Sequence, residues 1–112
     1  MKIAIPLADG RLSMHFGHCD QFALVDVDLD AKTVGNVETL IPPAHEPGVL
    51  PRWLHEQGAN VIIAGGMGMR AQQLFTQNDI QVVVGASAET PETLVQNFLD
   101  GTLKTGQNVC DH

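Results

Sequence analysis

Ala59-Asn60-Val61-Ile62-Ile63-Ala64-Gly65-Gly66-Met67-Gly68 reads as a strand running into a glycine turn. Its apolar run, Ala59 to Ala64, is nearly continuous rather than alternating, the pattern of a short strand buried on both faces. Met67, Ala71, Leu74 and Phe75 then recur at i, i+4, i+7 and i+8, the stripe of a helix packed on one side. Ile80 to Val84, closed by Gly85, repeats the buried-strand pattern. Thr90 and Pro91 supply an N-cap and a first-turn residue for a third helix with Leu94, Val95, Phe98 and Leu99 on its buried face, ended by Asp100-Gly101. Strand, helix, strand, helix predicts an α/β domain.

Upstream, Val49 to Gln57 places Val49, Leu50, Trp53 and Leu54 on one helical face, with Pro51 in the first turn and Gly58 as the stop. This helix is expected to pack its tryptophan on the sheet. The loop before it, Pro42-Pro43-Ala44-His45-Glu46-Pro47-Gly48, lacks the backbone donors that a sheet or helix interior needs. Earlier still, Lys2 to Leu7 alternates as a strand and turns at Ala8-Asp9-Gly10; Arg11 to Met14 extends it or forms a loop. Gln21 to Asp28 and Thr33 to Ile41 complete an antiparallel meander. Right-handed crossovers then predict a ribonuclease H-like, three-layer domain. Its mixed five-stranded sheet would have the order 3-2-1-4-5, with strand two antiparallel. One domain spans 1–101, and residues 102–112, which lack a period, are expected to be a tail.

Thirteen acidic and six basic residues give a net charge of -7, which repels nucleic acid and anionic membranes. No apolar run is long enough to cross a bilayer, and the N-terminus does not resemble a signal peptide. The expectation is a cytoplasmic protein without nucleic-acid or membrane partners. With aromatics at 4% and no tyrosine, the core must be mostly aliphatic.

The chemistry is concentrated in His15-Phe16-Gly17-His18-Cys19-Asp20. Imidazole and thiolate suit zinc, copper, iron or metal-sulfur clusters, and offsets of three and four positions let His15, His18 and Cys19 converge. Cys110 and His112, with Asp111 between them, repeat this chemistry and are further candidate metal ligands. Ligands of open α/β sheets gather at the carboxyl ends of the parallel strands. Strands one and four end at Leu7 and Ala64, and antiparallel strand two begins at the same edge. Residues 15–20 and Gly65, Gly66, Met67 and Gly68 should therefore share one cleft. Free N–H groups at the start of the following helix favour an anion, with Met69 as a thioether wall and Arg70 offsetting negative charge. The glycine loop matches neither the Walker A nor the dinucleotide pattern. His45 sits in the proline-rich loop, and His55 is expected on a solvated helix face. No residue set forms a convincing hydrolytic site, so the expectation is a binding protein rather than an enzyme.

Lys2 to Pro6, His15-Phe16-Gly17, Pro42 to Leu54, Ile62 to Arg70, Val82 to Ala86 and Asn108-Val109-Cys110-Asp111-His112 together resemble the dinitrogenase iron-molybdenum cofactor biosynthesis family, the NifX/NifB-type cluster-binding proteins. The resemblance implies a ribonuclease H-like domain that binds or carries an iron-molybdenum or related metal-sulfur cluster. It also implies cluster donor or acceptor proteins as partners. The related orange proteins, which bind a molybdenum-copper sulfide cluster, make that metal pair a further option. It points to His15 and to Gly65, Gly66 and Gly68 as cluster-facing. Two other readings of the residues stand beside it: a small anionic metabolite or nucleotide at the glycine loop of an enzyme or regulator, and a redox pair of Cys19 with Cys110.

Overall fold

A computed structural model describes residues 1–14, 19–43, 48–103 and 105. Strands β1 (Lys2–Ala8), β2 (Arg11–Leu12), β3 (Gln21–Asp28) and β4 (Thr33–Leu40) precede helix α1 (Val49–Glu56). They are followed by β5 (Val61–Ile63), α2 (Met69–Gln77), β6 (Gln81–Val83) and α3 (Pro91–Asp100). The mixed sheet has six strands in the order β4-β3-β1-β5-β6, with β2 paired to β1 beside this path. β1 is antiparallel to β3 and parallel to β5, and β5 is parallel to β6.

The departure from the expected five strands is β2. Asp9 (φ 55°) and Gly10 (φ 80°) form a two-residue turn with both central residues left-handed, which folds Arg11 and Leu12 back on Ala8 and Leu7. A strand of two residues has no period to detect.

Alternation along β1 sends Ile3, Ile5 and Leu7 to one face of the sheet and Ala4 to the other. On the first face they meet Val25, Val61 and Ile63 under Leu94, Val95 and Leu99 of α3. On the second, Ala4, Phe22, Leu24 and Ile62 lie under Leu50 and Leu54 of α1 and Phe75 of α2. Helices therefore cover both faces. Trp53 packs on the sheet as expected, its ring 5.9 Å from that of Phe22 in an edge-on contact at 62°.

One helix start and one cap differ from expectation. The stripe placed Met67 inside the second helix, but Gly68 is extended (φ -65°, ψ 156°) and α2 begins at Met69. Met67 nevertheless stays fully buried in the cluster that holds Phe75. Thr90 occupies the N-cap position of α3 without capping it: its hydroxyl donates to Thr93 Oγ1 at 2.9 Å instead. Beyond α3, the N–H groups of Thr102 and Leu103 both donate to the Asn97 carbonyl, and Leu103 packs on the α3-side core. The chain thus stays with the domain past residue 101.

Candidate functional site

Because Ile3 lies beside Val61 and Ala4 beside Ile62, the carboxyl ends of β1 and β5 open on one edge of the sheet. β1 runs further than β5. Its Leu7 pairs with Gln21 of β3 on one side and with Leu12 of β2 on the other, so β2 stands beyond the end of β5. The chain after Ala64 must leave the sheet there, and it does so in contact with the residues that follow β2. A Cβ built on Gly65 would lie 3.0 Å from Met14 Cα, 3.2 Å from the Met14 carbonyl oxygen and 3.3 Å from its sulfur. A side chain at this position would force the neighbouring main chain to give by a few tenths of an ångström, so glycine suits the approach. From the other side the Gly85 N–H donates to the Gly65 carbonyl at 2.7 Å, so Gly65 is held between Met14 and the loop after β6.

His15 and His18 lie outside the described residues. The residues bonded to them are placed: Met14 lies on the β5 side of the β1 carboxyl end. On the β3 side Cys19 leads into Asp20, whose N–H donates to the Leu7 carbonyl at 2.9 Å. The two ends of the histidine stretch thus flank the carboxyl end of β1, and one of them touches the glycine loop. Sequence reasoning missed Met14, which it left in an undecided extension. The Asp9-Gly10 pair was the available signal, since a tight hairpin returns Leu12 to Leu7 and carries Met14 to the sheet edge.

Cys19 is 5% exposed and belongs to the apolar cluster with Ala4, Phe22 and Leu24. Burial pushes its thiol up to about 11, opposed by a main-chain hydrogen bond and reinforced by the neighbouring Asp20 carboxylate. As placed, the cysteine is a core residue with a protonated sulfur, a poorer ligand than its neighbourhood in the sequence suggests.

In the glycine loop, Gly65, Gly66 and Met67 are buried and Gly68 is half-buried. The Met67 side chain is committed to the core, so only its main chain can face a ligand. Met69 is 65% exposed and Arg70 is exposed beside it, at the start of α2. Helix geometry leaves the first N–H groups of α2 without intrahelical acceptors. The N-cap residue is a glycine with no side chain to supply one, and the first turn carries no acidic residue. The Gln72 side chain donates to the Met67 carbonyl at 2.9 Å, and its N–H donates to the Gly68 carbonyl at 3.1 Å, which pins the loop to the helix. This end of α2 is electropositive on a molecule of net charge -7 and suits an anion.

Cys110, Asp111 and His112 lie outside the described residues, as does His45. His55 is exposed in the last turn of α1, as expected. Among the described residues no three His, Cys, Asp or Glu side chains come together.

The model of the family described as dinitrogenase iron-molybdenum cofactor matches residues 1–101. The chain belongs to this family. Among proteins similar to this dinitrogenase iron-molybdenum cofactor family member is an uncharacterized protein of Methanocaldococcus jannaschii. It is 32% identical over 109 residues, covering 93% of this chain and 90% of that one. The crystal structure of PH0822 superposes with a TM-score of 0.86 at 32% identity, over 96% of this chain and 98% of that one. The apo form of the orange protein from Desulfovibrio gigas superposes with a TM-score of 0.70 at 26% identity, over 96% of this chain and 93% of that one. No helix among the described residues is long and apolar enough to cross a membrane.

Proposed function

We propose that this chain binds an anionic metal-sulfur cluster, iron-molybdenum or a related composition such as molybdenum-copper, and carries it as cargo between donor and acceptor proteins of the cytoplasm without catalysing a reaction. The observation that carries this reading is the contact between Met14 and Gly65. It sets the residue before His15 against a main-chain loop that ends in an uncapped helix N-terminus. Imidazole suits the metals of such a cluster, and N–H groups suit its negative sulfides.

In this reading His15 is the primary ligand and His18 the second. The main chain of Gly65, Gly66, Met67 and Gly68 lines the cargo, Met69 borders it and Arg70 offsets its charge. Cys19 contributes by packing, and becomes a ligand only if binding draws it out of the core. Cys110 and His112, outside the described residues, are further candidate ligands. Leu103 lines a hollow of about 280 Å³ with Ser87 and Glu89, and the Glu89 carbonyl accepts the Leu12 N–H at 3.0 Å. Seven positions separate Leu103 from Cys110, a span of at most about 25 Å. The domain itself is read as ribonuclease H-like on its strand order and two-sided helical cover.

Anaerobic reconstitution tests the reading. Wild type supplied with iron and sulfide, or with molybdenum, copper and sulfide, is expected to acquire visible absorption and bound metal. His15→Ala is expected to lose most of both while keeping its circular dichroism. Equal metal and sulfide in wild type and in a His15→Ala, Cys19→Ala double variant would refute the site.

A further inference from the structure

β4 ends the sheet order and has no strand on its outer side among the described residues. The other edge strand, β6, has three residues, whereas β4 has eight and only one charged residue, Glu38. Val37 is 40% exposed and Ile41, immediately past the strand, 79%, so the far end of this edge is apolar as well as open. Such an edge is a template for another strand.

Main-chain direction along β4 follows from its neighbours. Met1 and Val27 exchange hydrogen bonds, the Met1 amino group donating to the Val27 carbonyl and the Val27 N–H to the Met1 carbonyl. Val27 and Val25 therefore face β1, and Leu24 and Phe22, at the alternate positions beyond Val25, face β4. Their partners Glu38 and Leu40 point inward, which leaves the N–H and C=O groups of Val37 and Thr39 pointing out, with Ile41 next in the same alternation. An irregularity between Val25 and Val27 interrupts this outward set toward the start of β4, and Pro43 has no N–H with which to continue it past Ile41.

We propose that residues 37–41 pair antiparallel with the same residues of a second copy of this chain, joining two sheets across a two-fold axis through Thr39. In this register Val37 lies opposite Ile41 of the other copy, twice, and Thr39 lies opposite itself. Glu38 meets Leu40 rather than a second Glu38, so no like charges stand directly opposite. Neighbouring registers are poorer: a one-residue slip puts side chains on the wrong face, centring on Glu38 opposes the two carboxylates, and centring on Leu40 sets Val37 opposite Pro43, which has no N–H to donate. Self-complementarity of this kind is what a two-fold interface demands. The two-fold reverses strand direction, so the carboxyl edges of the two sheets point opposite ways and each glycine loop stays open. The proposal is independent of what that loop binds.

Sedimentation of the full-length chain over a range of concentrations is expected to show a monomer–dimer equilibrium. Thr39→Pro removes an N–H that points outward in the monomer, and Ile41→Lys replaces an exposed apolar contact by a charge. Each is expected to raise the dimer dissociation constant at least about tenfold while urea unfolding of the monomer moves little. In a Cys110→Ser background, Thr39→Cys is expected to form a covalent dimer on mild oxidation. A wild type that stays monomeric at all concentrations, or a dimer indifferent to both substitutions, would overturn the proposal.

Discussion

Gly65 carries two consequences at the scale of one residue. Gly65→Ala drives a methyl group to 3.0 Å from the Met14 main chain, so one of the two segments must move. The expected loss is about 1–3 kcal/mol in urea unfolding, the range for overpacking, together with weaker cluster uptake. Cys19 provides a pH signature. Its folded value of about 11 stands above the ordinary 9.0 because burial disfavours the thiolate. Between these values the unfolded chain releases a proton that the folded one keeps, so this contribution to stability is intact below pH 9 and declines as pH rises toward 11. Unfolding measured across that window should show the decline in wild type and a weaker one in Cys19→Ala. The burial of Cys19 was not legible in the sequence: a cysteine between His18 and Asp20 reads as part of a polar segment, and only the Leu7–Gln21 register reveals that it enters the apolar cluster.

At the scale of elements, punctuation was legible and short or irregular pieces were not. Gly58 ends α1 with φ 90°, its N–H on the His55 carbonyl and that of Ala59 on the Leu54 carbonyl, as a glycine after a helical stripe implies. The start of α3 shows the limit. Thr90-Pro91 located it correctly, but the threonine hydroxyl is turned to Thr93. Thr90→Ala is accordingly expected to cost less than about 0.5 kcal/mol in thermal or urea unfolding, below the ~1 kcal/mol typical of a lost cap. The facing of residues 15–20 and the glycine loop was inferred from strand direction, and the placement of Met14 against Gly65 brings the flank of one to the other. β2, which carries Met14 to that contact, has too few residues to show a hydrophobic pattern.

For the molecule as a whole, the sheet separates two cores. Leu94 lies on the α3 side and Leu54 on the α1–α2 side, both essentially inaccessible to solvent. Either residue changed to alanine should cost about 2–5 kcal/mol, and the double variant should show the sum to within about 0.5 kcal/mol, because no side-chain contact is shared. A larger deviation in urea unfolding would mean that the sheet transmits repacking from one face to the other. The central position of β1 also has a consequence in time. β1 is synthesised before β3 and β5, between which it later sits, and its Lys2 N–H waits for the Asn60 side chain, 58 positions further on. Ile3 and Ile5 therefore stay without their final cover until β5 and α3 have been made. Nascent chains halted before β5 are the ones that a chaperone for exposed apolar strands should hold longest.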